Sequence, residues 1–436
     1  MRPAAHPVVQ HQVSLTGLNT FGVGATAQVV ITLDDLARLD EVLNTLREEC
    51  RVQPEKPSSN GDGPPASTTL SAASAPVQTP VAHRPLILSG GSNVVFARDL
   101  VEPVLLVRNR GRRIVSDDGE QVLLDVAAGE VWHDTVRWTL DEGCFGLENL
   151  ALIPGRVGAA PWQNIGAYGT EAGQFIDSVE AVHLQSGERR RFSQAECSFA
   201  YRQSFFKTAD GRDWLIIGVR LRLSRRFQPQ LGYGELAAAI DRKLEEKTTT
   251  PGQHGLTAHL VADTVEEIRR RKLPDPAVLG NAGSFFHNPV VDASTLDALR
   301  AQHPSLPAHP VAGTDGTSVP GQNADDARPD NHAGGSSSSS AQRHASNDTR
   351  AVYPADAPAK ASAITHYKLS AGWLIDACGW KGHREGDAGV SPNHALVLVN
   401  HGKASGADIL RLSERIQQSV FERFGVKLHP EPLIIR

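Results

Sequence analysis

The stretch Gly146 to Gly169, GLENLALIPGRVGAAPWQNIGAYG, constrains the fold of this chain more than any other. It carries five glycines (146, 155, 158, 166 and 169) and two prolines (154 and 161) among apolar residues, with little charge. Gly admits positive φ and close backbone approach, and Pro fixes φ and lacks an N–H. Such a segment is too broken for a helix or a long strand. Because it is apolar yet irregular, its N–H groups need partners from elsewhere. A bound ligand rich in oxygens would supply them; so would a buried loop satisfied by protein and water. Neighbouring motifs decide between the two.

Around this stretch the chain reads as α plus β, without internal repeats. Val29–Leu33 is a strand, and Asp34 or Asp35 caps a helix whose apolar face is Leu36, Leu39, Leu43 and Leu46. Strands are expected at 85–88, 104–107, 122–126, 178–184, 214–223 and 395–399. Helices are expected at 131–141, stopped by Gly143, at 263–272, ended by Pro274, and at 369–378. A final helix opens at Ser405 or Asp408, carries Ile409, Leu412, Ile416, Val420 and Phe424 on one face, and stops at Gly425. Residues 1–13 read as a loose terminus. Two Pro-, Ser- and Gly-rich segments, 51–83 and 304–350, cannot bury enough apolar area to order themselves and read as insertions.

The 436 residues allow two or three domains. A net charge of −5, with both signs dispersed, gives no reason to expect nucleic acid or an anionic membrane as partner. Cys50, Cys144, Cys197 and Cys378 form no CxxC pair, so neither a disulfide framework nor a zinc site is expected. There is no signal-peptide pattern and no apolar run of bilayer length, so a soluble cytoplasmic protein without a bound metal is expected.

The turn Gly90-Gly91-Ser92-Asn93 follows a strand, where backbone N–H groups can wrap a pyrophosphate. It lacks the spacing of a dinucleotide fingerprint and the Lys of a P-loop. Alone it is an ordinary turn. Together with Gly146–Gly169 it resembles the two flavin-binding segments of the bacterial UDP-N-acetylenolpyruvoylglucosamine reductase family. Further motifs resemble that family in the same order: Tyr201-Arg202-Gln203-Ser204, Lys272-Leu273-Pro274-Asp275-Pro276, Gly280 to Pro289 (GNAGSFFHNP), Ala371 to Asp376 and Pro430-Glu431-Pro432. The resemblance covers nearly all of the chain outside residues 1–13 and the two insertions.

The resemblance implies a two-subdomain FAD-binding half of the vanillyl-alcohol-oxidase (PCMH) type and an α+β substrate-binding domain. The divisions expected are 14–110, 111–272 and 273–427, with 428–436 returning to the first. It implies that NADPH reduces bound FAD, and that the enolpyruvyl ether of UDP-N-acetylglucosamine is then reduced to UDP-N-acetylmuramate for peptidoglycan. By the same resemblance FAD is held by Gly90, Gly91, Ser92 and Asn93, and by Ile153, Pro154, Gly158, Asn164, Ile165, Gly166 and Tyr168. Ala159 and Ala160 stand where the family often has a hydroxyl.

Hydride addition to the terminal methylene of the enol ether develops negative charge shared with the carboxylate. Fixed donors aimed at that charge lower the barrier, and a planar guanidinium suits a carboxylate, which points to Arg202. Glu431 matches the family's acidic partner and helps only if protonated or networked, so a raised pKa is expected from burial or a neighbouring anion. Ser284 is the implied proton donor. Singly, these would read as a salt-bridged Arg, an exposed Glu and a backbone-capping Ser; the ordered set favours catalysis. Lys272, Tyr233, Asn288 and Tyr353, with Tyr367 as rival to the last, are the implied substrate contacts. The competing assignments are another FAD-dependent oxidase or dehydrogenase on the same scaffold, and a non-enzymatic binding module. A monomer is expected.

Overall fold

A computed structural model describes residues 8–51, 84–248, 255–311 and 366–436. Tyr353 and most of the two insertions lie outside them. The chain divides into two compact units, Met1–His287 with Ala371–Arg436, and Asn288–Ser370.

The first unit opens on a four-stranded sheet ordered Val8–Ser14, Thr26–Leu33, Val104–Val107, Leu86–Leu88. The first pair is antiparallel and the others parallel. The expectation of a loose terminus is therefore corrected: Val8–Ser14 pairs along its length with Thr26–Thr32. The helix expected after Asp35 begins as a 3-10 turn, Leu36–Arg38, whose first N–H groups include one taken by the Asp35 carboxylate. It continues as an α-helix, Leu39–Glu49, burying Leu39, Val42, Leu43 and Leu46 against the sheet.

A five-stranded antiparallel sheet follows, ordered Arg189–Ser193, Ile176–His183, Trp214–Ser224, Gln121–Ala127, Arg112–Asp117. Gln121–Ala127 alternates strictly, sending Val122, Leu124 and Val126 inward, whereas Arg112–Asp117 is exposed along its length. The helix Trp132–Asp141 packs on the inner face through Trp132, Val136 and Leu140, and Trp132 Nε1 donates to Leu150 O at 3.0 Å. Ala258–Lys272, capped by Thr257, begins five residues before the expected helix and buries Leu260, Val261, Val265 and Ile268. Gly146–Gly169 holds two 3-10 turns, Glu148–Leu150 and Val157–Ala159, and half of a two-residue hairpin.

A small sheet ordered Gly280–Asn281, Leu398–Asn400, Ala388–Val390, Arg384–Glu385 carries the Gly280 motif. Its second strand is shorter than the expected 395–399, because His394–Val397 closes a turn first. The final helix, Gly406–Phe424, has a full capping box between Ser405 and Asp408 and ends at Gly425 in the left-handed conformation. Each of its buried Ile409, Leu412, Ile416, Val420 and Phe424 side chains contributes roughly 1.5–3 kcal/mol of transfer free energy before entropy is counted. The carboxyl-terminal strand Leu433–Ile435 then runs parallel to Val94–Phe96, the strand that leaves the Gly90 turn.

The second unit is a three-stranded antiparallel sheet, Val290–Asp292, His366–Leu369, Ala308–Val311, with the helix Ala293–Gln302. Residues 308–311 are thus a strand, and the expected insertion starting at 304 begins later in the chain.

Candidate active site

The two glycine-bearing segments meet. A Cβ on Gly90 would lie 2.9 Å from Gly155 Cα, backbone against backbone, so only glycine fits there. Ser92 Oγ donates to Pro154 O at 3.3 Å, and Asn93 Nδ2 donates to Gln163 Oε1 at 2.7 Å. The N–H groups of Gly90, Gly91, Ser92, Asn93 and Gly155 have no acceptor among the described residues. A concentrated run of open N–H donors between touching glycine backbones fits the diphosphate of a dinucleotide.

Other expected cofactor residues are engaged by the protein itself. Asn164, with φ +46°, accepts from Gly173 N at 2.8 Å and donates to Glu171 Oε2 at 2.7 Å and Ala200 O at 3.0 Å. Its amide shapes the loop and has no donor left for a ligand. Gly158 packs on Ala128, where a Cβ would fall 2.6 Å from the Ala128 Cβ. Ile153, Ile165 and Tyr168 pack on the core, and Gly166 O accepts from Arg202 Nη2 at 3.1 Å. Ala160 is fully buried, so a hydroxyl at this position would enter the apolar core.

The Tyr201–Ser204 motif forms a turn. Ala200 and Gln203 exchange backbone hydrogen bonds, and Arg202 sits at φ +57°. Buried Ser204 fixes the turn by donating to Trp162 O at 2.6 Å. From there the Arg202 guanidinium reaches Glu431: Nε lies 3.0 Å from Oε1.

Glu431 arrives from the other end of the chain. Phe285–His287 runs antiparallel to His429–Glu431: Glu431 N donates to Phe285 O at 2.8 Å and His287 N to His429 O at 2.9 Å. The Gly280 motif is built for this. A Cβ on Gly280 would meet Phe21 O at 2.2 Å, and buried Asn281 ties the turn to Pro274 O and Leu279 O. Phe285 and Phe286 are fully buried anchors, and half-buried Ser284 stands just before them. Arg202 and Glu431, widely separated in sequence, thus meet, and the Phe285–Glu431 backbone pairing runs the chain at Ser284 alongside the residues that follow Glu431.

The electrostatics there have a definite sign. Burial pushes the Glu431 carboxyl above its ordinary range, and Arg202 and Lys207 only partly offset this. The expected raised pKa has burial as its cause; the neighbours are cations. His287 Nδ1 lies 3.8 Å from Glu431 Oε2 and has no hydrogen-bond partner among the described residues. Burial, with Lys207, Arg202 and His429 nearby, holds His287 down at about 3, so the ring is neutral.

At the far end of the glycine stretch, Tyr233 packs over Gly169, a Cβ there falling 3.3 Å from the Tyr233 Cβ. Lys272 Nζ pairs with Glu235 Oε1 at 2.8 Å, as does Arg271, so a diphosphate would take Lys272 in exchange for Glu235. Asn288 opens the second unit and Tyr367 lies in its central strand. Lys207, His287 and Arg269, whose Nε donates to Leu152 O at 3.3 Å, join the site unannounced. Arg269 and His287 are brought there by contacts distant in sequence, and Lys207 by its own short turn through the bond to Arg202 O. A groove of about 510 Å³ lies elsewhere, on the five-stranded sheet, where Arg191, Arg220 and Arg222 face paired carboxylates; it touches none of these residues. No helix among the described residues is long and apolar enough to cross a membrane.

The chain matches the family model described as "UDP-N-acetylenolpyruvoylglucosamine reductase, C-terminal domain" over residues 275–435 and the "FAD binding domain" model over 81–193. It is 40 % identical to the UDP-N-acetylenolpyruvoylglucosamine reductase of Pseudomonas putida, over 97 % of this chain and 98 % of that one. It is 44 % identical to the protein of the same name from Burkholderia ambifaria, over 81 % of this chain and 86 % of the relative. Among solved structures, the UDP-N-acetylenolpyruvylglucosamine reductase of Thermus caldophilus shares the fold, with a TM-score of 0.52 at 20 % identity over 99 % of this chain and 100 % of that one. The α+β FAD-binding fold of the vanillyl-alcohol-oxidase-like type is that expected from the sequence.

Proposed function

The chain belongs to the UDP-N-acetylenolpyruvoylglucosamine reductase family, and from that premise we propose how its own residues carry the family's reaction. The protein is an FAD- and NADPH-dependent oxidoreductase that reduces the enolpyruvyl ether of UDP-N-acetylglucosamine to UDP-N-acetylmuramate, a step of cell-wall peptidoglycan synthesis. FAD, when bound, supplies the hydride relay between NADPH and the enol ether. The open N–H groups of Gly90–Asn93 and Gly155 would hold its diphosphate.

Arg202 presents a fixed cation to the enolpyruvyl carboxylate, where charge accumulates as the hydride arrives. Its carbonyl contacts to Gly166 and Asn164 and its pairing with Glu431 fix the direction of the guanidinium before substrate binds. Glu431, biased by burial toward its protonated form, adds a donor in place of a second negative charge. Ser284 Oγ gives its proton to the carbon adjoining the new methyl group. By the family's pattern Tyr233, Lys272 and Asn288 are the substrate-binding residues, with Tyr353 or its rival Tyr367 as a further contact. We further propose a cytoplasmic monomer. Its parts are the subdomains 14–110 and 111–272 and a substrate domain 273–427, with 428–436 returning to the first.

The observation that supports this reading is the Arg202–Glu431 ion pair at 3.0 Å, with Glu431 N bonded at 2.8 Å to the carbonyl of Phe285, the residue after Ser284. Stopped-flow measurement of the two half-reactions tests it. Ser284→Ala leaves flavin reduction by NADPH nearly unchanged and slows reoxidation by the enolpyruvyl nucleotide about 10²–10⁴-fold. Wild-type rates in both halves would remove Ser284 from its role.

A further inference from the structure

Lys207 lies outside every motif that identifies the site, yet it is bonded directly to the backbone of Arg202. It closes the 3-10 turn Phe205–Lys207, which Phe206, fully buried, anchors in a cluster with Phe192 and Phe205. Its backbone is held at both ends: the N–H donates to Ser204 O at 3.1 Å, and the carbonyl accepts from Arg212 Nε at 3.2 Å. The half-buried side chain turns back along the chain, its ammonium donating to Arg202 O at 3.0 Å.

That carbonyl belongs to a residue in an unusual conformation. Arg202 has φ +57°, a left-handed conformation that a residue with a Cβ adopts only at a cost. Such strain persists only where the surroundings over-determine it. Here the guanidinium is held by Glu431, Gly166 O and Asn164 O, and the backbone carbonyl by Lys207. Without the ammonium the side-chain contacts remain but the peptide that aims them is free to relax. Taking an ammonium out of water is costly unless hydrogen bonds and neighbouring groups compensate it. Burial lowers the Lys207 pKa, and Glu431 offsets this only in part, so the bond to Arg202 O carries much of the compensation.

We propose that Lys207 is a positioning residue for the reduction of the enol ether: it clamps Arg202 in its left-handed turn, and so keeps the guanidinium on Glu431. This rests on the reading that Arg202 and Glu431 serve the enolpyruvyl carboxylate. Lys207 acts through Arg202, and its charge acts on Glu431, which Arg202 and His287 also face. His429 faces His287, and Arg212 faces Lys207.

The test compares Lys207→Met, which keeps length and loses charge and donors, with Lys207→Arg, which keeps both. FAD content, the two half-reactions, and the pH profile of the second are measured in the full-length holoenzyme. Lys207→Met is expected to hold FAD and to be reduced by NADPH within about threefold of wild type. Its reoxidation by the enolpyruvyl nucleotide slows about 100-fold, the scale of a small misplacement of a reacting group. The alkaline limb of that step moves about one unit higher, because removing a cation tightens the proton on Glu431. Lys207→Arg recovers at least a tenth of the wild-type rate.

Equal slowing of both half-reactions, or an unmoved pH limb with wild-type rates, overturns the proposal. Should Lys207→Met fail to retain FAD, Lys207→Gln, which keeps one donor for Arg202 O, is read by the same criteria. Arg202→Ala separates the two levels of the argument. If it leaves reoxidation intact, the reading of Arg202 itself fails; if it slows reoxidation while Lys207→Met does not, only the role of Lys207 fails.

Discussion

Arg202→Lys keeps the charge at the centre of the site and removes its shape. The guanidinium places Nε 3.0 Å from Glu431 while Nη2 and Nη1 reach Gly166 O at 3.1 Å and Asn164 O at 3.4 Å. These three directions diverge from one plane, and a single ammonium on a shorter stem meets one of them at best. Glu431 keeps the field of Lys207, and the carboxylate of the substrate loses a planar donor pair. A lost hydrogen bond to a charged group costs about 1.5–3 kcal/mol. At about 1.4 kcal/mol per tenfold in rate, reoxidation by the enolpyruvyl nucleotide slows roughly 10- to 150-fold. The NADPH half-reaction does not develop charge on that carboxylate and stays within about threefold. Double-mixing stopped flow under anaerobic conditions, read at the flavin absorbance, measures both halves on one sample. Equal slowing of the two, or none in the second, would refute the argument that the guanidinium geometry acts on the enolpyruvyl group.

Further outcomes follow from other parts of the structure. Gly158→Ala places a methyl 2.6 Å from the Ala128 Cβ, and neither atom has a rotamer to escape through. The overpacking costs about 1–3 kcal/mol, so the thermal midpoint of the holoprotein falls, and an unchanged midpoint would mean that the turn shifts freely. Acid sensitivity tracks His287. Its folded pKa of about 3 lies below its unfolded value, so between those values the unfolded chain binds a proton that the folded one refuses. Stability is whole above pH 6.5 and falls as the pH drops, by at most about 1.4 kcal/mol per unit. The raised carboxyl of Glu431 works the other way, losing stability as pH rises through its folded value. His287→Asn should therefore lose about 2 kcal/mol less than wild type between pH 7 and pH 5 in denaturant titrations. Parallel losses in the two proteins would place the acid sensitivity elsewhere.

What the sequence made legible was local. The stripe from Ile409 to Phe424, the cap at Ser405 and the stop at Gly425 are written in consecutive residues, and the helix follows them. The glycine stretch announced an irregular apolar loop, and it is one. Pairings that span the chain left no local trace. Val94–Phe96 is too short to stand out, and its partner Leu433–Ile435 lies at the carboxyl terminus. Val8–Ser14 mixes His and Gln with Val and is stabilised by its neighbour, so its own pattern is weak. Motif matching pointed to Arg202, Ser284 and Glu431 and could not show that the Asn164 side chain is wholly engaged within the protein. Lys207 and His287 were missed for the same reason in reverse. Nothing in Phe205-Phe206-Lys207 or Phe286-His287-Asn288 shows that a carboxyl from residue 431 lies between them.

The central claim is that this chain moves a hydride from NADPH, by way of bound FAD, to an enolpyruvyl ether. An anaerobic single-turnover titration of the purified holoprotein tests it most directly. NADPH should bleach the flavin absorbance, and enolpyruvyl UDP-N-acetylglucosamine should restore it mole for mole, with an equal amount of UDP-N-acetylmuramate formed. A flavin that bleaches with NADPH and stays bleached when the enolpyruvyl nucleotide is added would contradict the account.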